Sequence, residues 1–308
     1  MAFPYLSDLV RATTGLSLPL PIPMFGLLVA AAFIAVTLVF QSELKRLHEA
    51  GRIGFARNRA RRADGVRIDV PVPPQDVGSN LSLLVLFAGF LGARIFSFFE
   101  YPREFLADPW GAIFSRTGFT FYGGFLLGLV AGIAYAIRKR LPIQPGLDAV
   151  APAMALGYGI GRLGCQLSGD GDWGVAATLA AKPAWLPLWL WAETYDHNVV
   201  GVVLAAPGVY PTPLYEFLMA LASFAILWSL RRHPFQSGWL FALYLLLTGS
   251  ARFAVEQIRV NPVINLLGVR GTQAEILSVA VVLAGVVGLT LLSTRRSITP
   301  APVAPPSR

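Results

Sequence analysis

Cysteine is nearly absent from this chain: its 308 residues contain one, Cys165, so no intramolecular disulfide can form. There are three His, no CxxC pair and no Cys/His cluster, which argues against structural zinc. Charge is scarce as well. Asp, Glu, Lys and Arg make up 14% of the chain against about a quarter in a soluble domain, while 55% of residues are hydrophobic. Mean hydropathy is +0.60. Together these exclude a disordered chain, a collagen-like repeat and a disulfide scaffold, and they point to an integral membrane protein. No internal repeat is visible. The net charge of +8 and pI near 10.0 raise nucleic acid as a partner. In a membrane protein such an excess instead serves orientation and contact with anionic lipid, so no nucleic acid is expected.

What the chain has in quantity is apolar stretches long enough to cross about 30 Å of hydrocarbon. Seven are visible, at 20–41, 81–100, 119–137, 147–167, 211–230, 238–257 and 272–293. Backbone in lipid must satisfy its own hydrogen bonds, so each reads as a helix. The fourth is the weakest, cut by Gly157, Gly159, Gly161 and Gly164. The expected fold class is therefore all-α, a polytopic membrane protein of about seven transmembrane helices. Residues 1–293 read as a single seven-helix membrane domain.

Lys and Arg set the orientation. The connection 42–80 holds eight of them, from Lys45 and Arg46 through Arg62 to Arg67, and 138–146, 231–237 and the tail hold more. The alternate connections hold few: Arg11, Arg103, Arg116, Lys182, Arg259 and Arg270. The positive-inside rule then puts the N-terminus outside and the C-terminus in the cytoplasm. Residues 42–80 become a cytoplasmic excursion, returned to the membrane by Pro71, Pro73 and Pro74. Residues 168–210 become a small extracytoplasmic cap whose Trp173, Trp185, Trp189 and Trp191 suit the headgroup level. The first stretch lacks a basic n-region and a cleavage site, so it reads as a retained helix rather than a signal peptide. The Pro-rich tail 294–308 reads as disordered.

This orientation gathers polar residues at one side. Arg94 and Glu100 fall toward the outer end of the second stretch, Tyr122 of the third, and Arg162 of the fourth, with Ser168, Asp170 and Asp172 just beyond. Thr212, Tyr215 and Glu216 open the fifth. Arg252, Glu256 and Arg259 close the sixth, and Gln273 and Glu275 start the seventh. An Arg inside hydrocarbon costs at least about 2.5 kcal/mol, so Arg94, Arg162 and Arg252 on separate helices are expected to share a polar cavity. Arg252 and Glu256, at i and i+4, can also form a structural pair. Guanidinium forks engage phosphate oxygens in pairs, which makes a phospholipid headgroup the natural ligand. Small residues at every fourth position, Gly124, Gly128 and Gly132 above all, supply close helix packing.

The run from Gly161 and Arg162 through Gly164, Cys165, Ser168 and Asp170 to Gly174 resembles the GRxGNFxNGExxG signature of the prolipoprotein diacylglyceryl transferases. Gly92-Ala93-Arg94 resembles their GAR, Phe121-Tyr122-Gly123-Gly124 their FHGG, and Pro211-Thr212-Pro213-Leu214-Tyr215-Glu216 their HPTQLYE. Arg252-Phe253 with Glu256 is similar to their RFxxE, and Gly271-Thr272-Gln273 to their MGQ. The resemblance implies a seven-helix, multi-pass enzyme of the bacterial inner membrane. Such an enzyme moves the diacylglyceryl group of phosphatidylglycerol onto the lipobox cysteine thiol of a prolipoprotein signal peptide. It releases glycerol phosphate and needs no metal or cofactor.

By position the resemblance gives catalytic roles to Arg162, Arg252, Tyr122 and Asp170. Arg94, Glu216, Glu256, Tyr215, Gly164, Ser168, Gly174 and Gln273 take substrate-binding roles. Several residues depart from the family pattern. Tyr122 replaces the His of FHGG, Cys165 and Ser168 replace two Asn, Asp170 replaces the Glu with one extra residue before Gly174, and Met24-Phe25-Gly26 replaces WYG. A phenol is a weak base at neutral pH, which turns attention to Asp170 or Asp172 as acceptor of the thiol proton. Cys165 reads as a small core residue, because the reaction brings its own thiol. Two other readings stay open: a diverged paralogue performing a different phospholipid-dependent transfer, and a non-enzymatic lipid carrier.

Overall fold

The computed structural model describes residues 2–17, 19, 21–61, 67–114, 120–266 and 269–294. The tail expected to be disordered, beyond Thr294, lies outside the described residues, as do Arg62 and Arg116 of the charge pattern. Elements follow in the order α1 (Leu6–Thr14), α2 (Met24–Glu49), β1 (Ala56–Arg61), β2 (Arg67–Val72), α3 (Pro74–Glu100), α4 (Pro102–Ala107), α5 (Pro109–Phe114), α6 (Phe121–Lys139), α7 (Ile143–Ser168), α8 (Leu188–Trp191), α9 (Thr212–Leu230), α10 (Trp239–Glu256), β3 (Val263–Leu266), β4 (Val269–Thr272) and α11 (Gln273–Ser293). The chain is a mostly helical, polytopic membrane protein. Each of the seven apolar stretches contains a long helix, and among the described residues five helices (α2, α3, α9, α10 and α11) are long and apolar enough to cross a bilayer. Two antiparallel hairpins, β1–β2 and β3–β4, are additions to the all-α expectation. The first lies within the excursion: helix persists to Glu49, and Pro73 and Pro74 start α3 as N-cap and first helical residue.

Contacts divide the chain into two compact units, Met1–Val39 with Val150–Ser297, and Phe40–Ala149 with the undescribed end of the tail. In the second unit α3 packs on α6 through glycine. A Cβ at Gly92 or Gly123 would overlap the opposite backbone, and one at Gly124 would stand 2.9 Å from the Gly89 carbonyl oxygen. Gly128 and Gly132 face Val85 along the same line, so the Gly124, Gly128, Gly132 stripe is the packing seam the spacing predicts. At one end, Lys139 Nζ donates to Asn58 Oδ1 of the hairpin at 2.8 Å.

In the first unit α10 packs on α11, with Gly249 and Gly285 admitting the opposite backbone. Ala155, Leu227 and Leu240 form a buried cluster joining α7, α9 and α10. The four glycines of the fourth stretch do not interrupt it; α7 is one 26-residue helix. Gly157 sits against Val36, Gly159 against Ala220 and Phe217, and Gly164 against Phe25 and Leu28, so at these three neighbours fill the space the missing side chain leaves, whereas Gly161 faces open space. Beyond Ser168 the chain turns at Gly169 (φ 62°) and Gly171 (φ 97°), left-handed conformations that favour glycine. The segment that follows has its own small core of Ala2, Tyr195 and Val209, against which Trp173 packs 5.1 Å from the Tyr195 ring. Burial, with Glu193 nearby, pushes the Tyr195 phenol well above its ordinary pKa, and its hydroxyl donates to Gln166 Oε1 at 2.7 Å. Trp185 and Trp189 are exposed.

Candidate functional site

The first unit brings Arg162, Arg252 and Arg259 together with three carboxylates at one place, where α7, α9 and α10 end or begin. Glu216, on the second turn of α9, is 2% exposed. Its Oε1 accepts a hydrogen bond from the Tyr158 hydroxyl at 2.6 Å and one from Arg252 Nη1 at 3.3 Å. Its Oε2 makes no aligned hydrogen bond and is held by charge, between Arg162 Nε at 3.1 Å and Arg259 Nη1 at 3.7 Å. Arg162 Nε also donates to the Tyr158 hydroxyl at 3.1 Å, which the i, i+4 spacing on α7 permits.

Two further carboxylates complete the set. Asp172, reached through the glycine turn, places Oδ2 on Arg162 Nη1 and Oδ1 on Arg259 Nη2, the latter at 2.9 Å. Burial pushes the Asp172 carboxyl up, but Arg162 and Arg259 outweigh it and hold the group below the ordinary carboxylate range. Glu256 pairs with Arg252 Nη2 at 2.9 Å, one turn away on α10 as the spacing predicts. Its Oε1 accepts from Thr272 Oγ1 at 2.6 Å and Asn261 Nδ2 at 2.7 Å. Thr272 also caps α11 in a reciprocal pair with Glu275, so this bond ties the end of α10 to the start of α11. Three guanidiniums thus pair directly with three carboxylates, as charges in a part-buried cluster must. A small cavity of about 20 Å³ adjoins it, lined by Tyr158, Glu216 and Arg252 together with Ala155, Ala220 and Ala251 among others.

Arg162 and Arg252 thus share one carboxylate, as expected of residues whose charge must be accommodated in an apolar span. The third guanidinium on Glu216 belongs to Arg259. Arg94 belongs to the second unit, where it donates to the Ile113 carbonyl through Nε at 3.2 Å and Nη2 at 3.0 Å and lies over the Phe98 ring. Tyr122 is in that unit too, half-exposed on the first turn of α6.

Asp170 accepts from the Asp172 backbone N–H at 3.2 Å, and donor atoms of Cys165, Asp170 and Asp172 lie within 4.8 Å of one another. Both Asp172 oxygens already face guanidiniums, an environment that repels a cation, so this trio is poorly suited to a metal. Cys165 is buried, with Arg162 Nη1 3.8 Å from its sulfur. Ser168 is buried and Tyr215 donates to the Leu190 carbonyl at 2.8 Å, fastening α9 to the short helix α8. Gly174 has no room for a side chain: a Cβ would stand 2.6 Å from the Ile258 carbonyl oxygen. Gln273 is exposed on the first turn of α11.

Sequence reasoning missed the parts played by Arg259 and Tyr158. Both carried a signal: Arg252, Glu256 and Arg259 stand at i, i+4 and i+7, and Tyr158 precedes Arg162 by one helical turn.

A family model described as prolipoprotein diacylglyceryl transferase matches residues 13–291. The chain is 34% identical over 206 residues to the phosphatidylglycerol–prolipoprotein diacylglyceryl transferase of Leptospira interrogans, covering 59% of this chain and 61% of that protein. It is 34% identical over 218 residues to the protein of the same name from Methylobacillus flagellatus, covering 70% and 76%. To that from Chromohalobacter salexigens it is 31% identical over 262 residues, covering 83% and 89%.

Proposed function

This chain belongs to the prolipoprotein diacylglyceryl transferase family, and on that premise we propose that it transfers the diacylglyceryl group of phosphatidylglycerol to the lipobox cysteine of a prolipoprotein. The observation that carries this reading is the meeting of Arg162 and Arg252, from two of the family's motifs, on the single buried carboxylate of Glu216. That carboxylate fixes the spacing of two guanidinium forks, whose remaining N–H groups engage phosphate oxygens. As the reaction proceeds the phosphate gains charge, and preorganised guanidiniums stabilise it more in the transition state than in the bound lipid.

The chemistry is a displacement at carbon. The acceptor thiol loses its proton to the Asp170 carboxylate, and the sulfur forms a bond to the terminal glycerol carbon of the diacylglyceryl group. The bond from that carbon to the phosphate oxygen breaks, its electron pair stays on oxygen, and glycerol phosphate departs. Glu256 orients Arg252, and Gly174 and Ser168 shape the turn that brings Asp170 and Asp172 to the site. Tyr215 fastens the segment beside it. Gly164 lets α7 pack closely on α2. Arg94, Tyr122 and Gln273 enter this reading through their motifs alone, Tyr122 as a hydrogen-bond donor to phosphate. The relatives' shared name favours transfer over lipid carriage.

The same reading includes seven membrane crossings with the N-terminus outside, residues 1–293 acting as one membrane domain, 42–80 in the cytoplasm, and 168–210 as an extracytoplasmic cap in the bacterial inner membrane. The distribution of Lys and Arg supports it. Expression in bacteria depleted of their own transferase tests the function. A model prolipoprotein should gain the mass of a diacylglyceryl group and growth should recover, with neither effect in Arg162→Ala or Arg252→Ala. Failure of the wild-type chain to modify the acceptor despite membrane insertion would refute it.

A further inference from the structure

Of the three carboxylates paired with guanidiniums, Asp172 is the one that can leave. The Glu216 and Glu256 side chains are 2% and 0% exposed, whereas that of Asp172 is 38% exposed. Its backbone is anchored independently of its side chain: the carbonyl accepts from Thr212 Oγ1 at 2.7 Å, and the N–H donates to Asp170 Oδ1. The carboxylate can therefore swing off its partners without unmaking the turn.

What it occupies is a seat between two guanidiniums, one oxygen on Arg162 and the other on Arg259. A phosphodiester, with two charged oxygens on one centre, has the same requirement for paired forks. It also has more to offer them. Arg259 Nη1 is buried and has no hydrogen-bond partner among the described residues, and a tetrahedral phosphate reaches out of the plane to which a carboxylate is confined. Charge balance points the same way. With Asp170 also within 4.8 Å of Asp172, the three guanidiniums already face four carboxylates, and a bound phosphodiester would add a further unmatched negative charge to a part-buried cluster unless one carboxylate gave up its place.

We infer that Asp172 holds the seat of the donor's phosphate, closing Arg162 and Arg259 until the phosphodiester displaces it. Arg259 is then a third phosphate ligand beside Arg162 and Arg252. This rests on the function proposed above but reads lipid binding rather than transfer.

The test uses the full-length chain in phosphatidylcholine nanodiscs, titrated with phosphatidylglycerol. Asp172→Asn removes the competing charge, so the apparent Kd should fall by about fivefold, the factor by which a part-exposed ion pair handicaps a competing ligand. Asp172→Glu, which keeps the charge, should bind close to wild type. Glycerol phosphate in solution should gain by the same factor as the lipid, and diacylglycerol, which lacks the phosphate, should not change. Weaker or unchanged binding of phosphatidylglycerol in Asp172→Asn would overturn the inference, as would an equal gain for diacylglycerol. Asp172→Ser is measured in parallel. If neither neutral variant yields a folded protein, the carboxylate is structural and the inference fails. Tighter binding without transfer to a prolipoprotein would instead remove the proposed function and leave this seat standing.

Discussion

Replacing Glu216 with Gln keeps the side-chain shape and removes one negative charge from the centre of the cluster. The carboxylate serves Tyr158, Arg162, Arg252 and Arg259 at 2.6, 3.1, 3.3 and 3.7 Å. A carboxamide has one acceptor oxygen where the carboxylate has two, and its NH₂ must point at a guanidinium or at the Tyr158 hydroxyl. Three guanidiniums would then pair directly with two carboxylates. Breaking a buried ion pair costs about 3–5 kcal/mol. Arg252, with 28% of its side chain exposed, recovers part of that through water, so the lower end, about 3 kcal/mol, is the expected loss. At about 2–4 °C per kcal/mol, Tm should fall by about 6–12 °C. The assay is thermal unfolding of the purified full-length chain in detergent, followed by tryptophan fluorescence. Glu275→Gln is the reference, because it disturbs only the α11 capping pair and a bond from Gln257, with an expected cost of about 1 kcal/mol. A Tm for Glu216→Gln within about 2 °C of wild type, or a smaller drop than in Glu275→Gln, would refute the placement of Glu216 at the centre of the ionic balance.

Tyr158→Phe deletes the donor to Glu216 and the acceptor for Arg162 without changing the ring; a hydrogen bond to a charged group is worth about 1.5–3 kcal/mol, so kcat/KM for lipid transfer should fall about tenfold or more. Unchanged kinetics would remove Tyr158 from the site. Gly174→Ala drives a Cβ onto the Ile258 carbonyl, and overpacking of this kind costs about 1–3 kcal/mol, read as a lower Tm. The depressed Asp172 pKa has a pH consequence of definite sign. Its contribution to stability is complete above the ordinary carboxylate pKa of about 3.9 and is lost as pH falls further through the folded value. Protease sensitivity of residues 168–210 should therefore rise at strongly acidic pH, and Asp172→Asn should flatten that rise.

Much of the helix layout was legible because a bilayer imposes one dominant rule, that an apolar run of sufficient length must close its own hydrogen bonds. Arg162, Arg252, Glu216 and Glu256 were legible for the converse reason, since charge in such a run is too costly to persist without partners. The Arg252–Glu256 pair followed from helical spacing and is present at 2.9 Å. Spacing also placed the glycine seam of α6, but it misjudged α7, where Gly157, Gly159 and Gly164, which read as interruptions, are points of close approach to α2 and α9.

Residue order could not say which partner each charge would choose. The seats of Glu216 and Asp172 depend on side chains 54 and 87 positions apart, Arg162 with Glu216 and Asp172 with Arg259, and such pairings are settled by how helices pack and where a glycine turn aims the chain. Local chemistry fixed which groups had to be neutralised; three-dimensional packing decided by whom, because a guanidinium in an apolar setting accepts whichever carboxylate the fold delivers within reach.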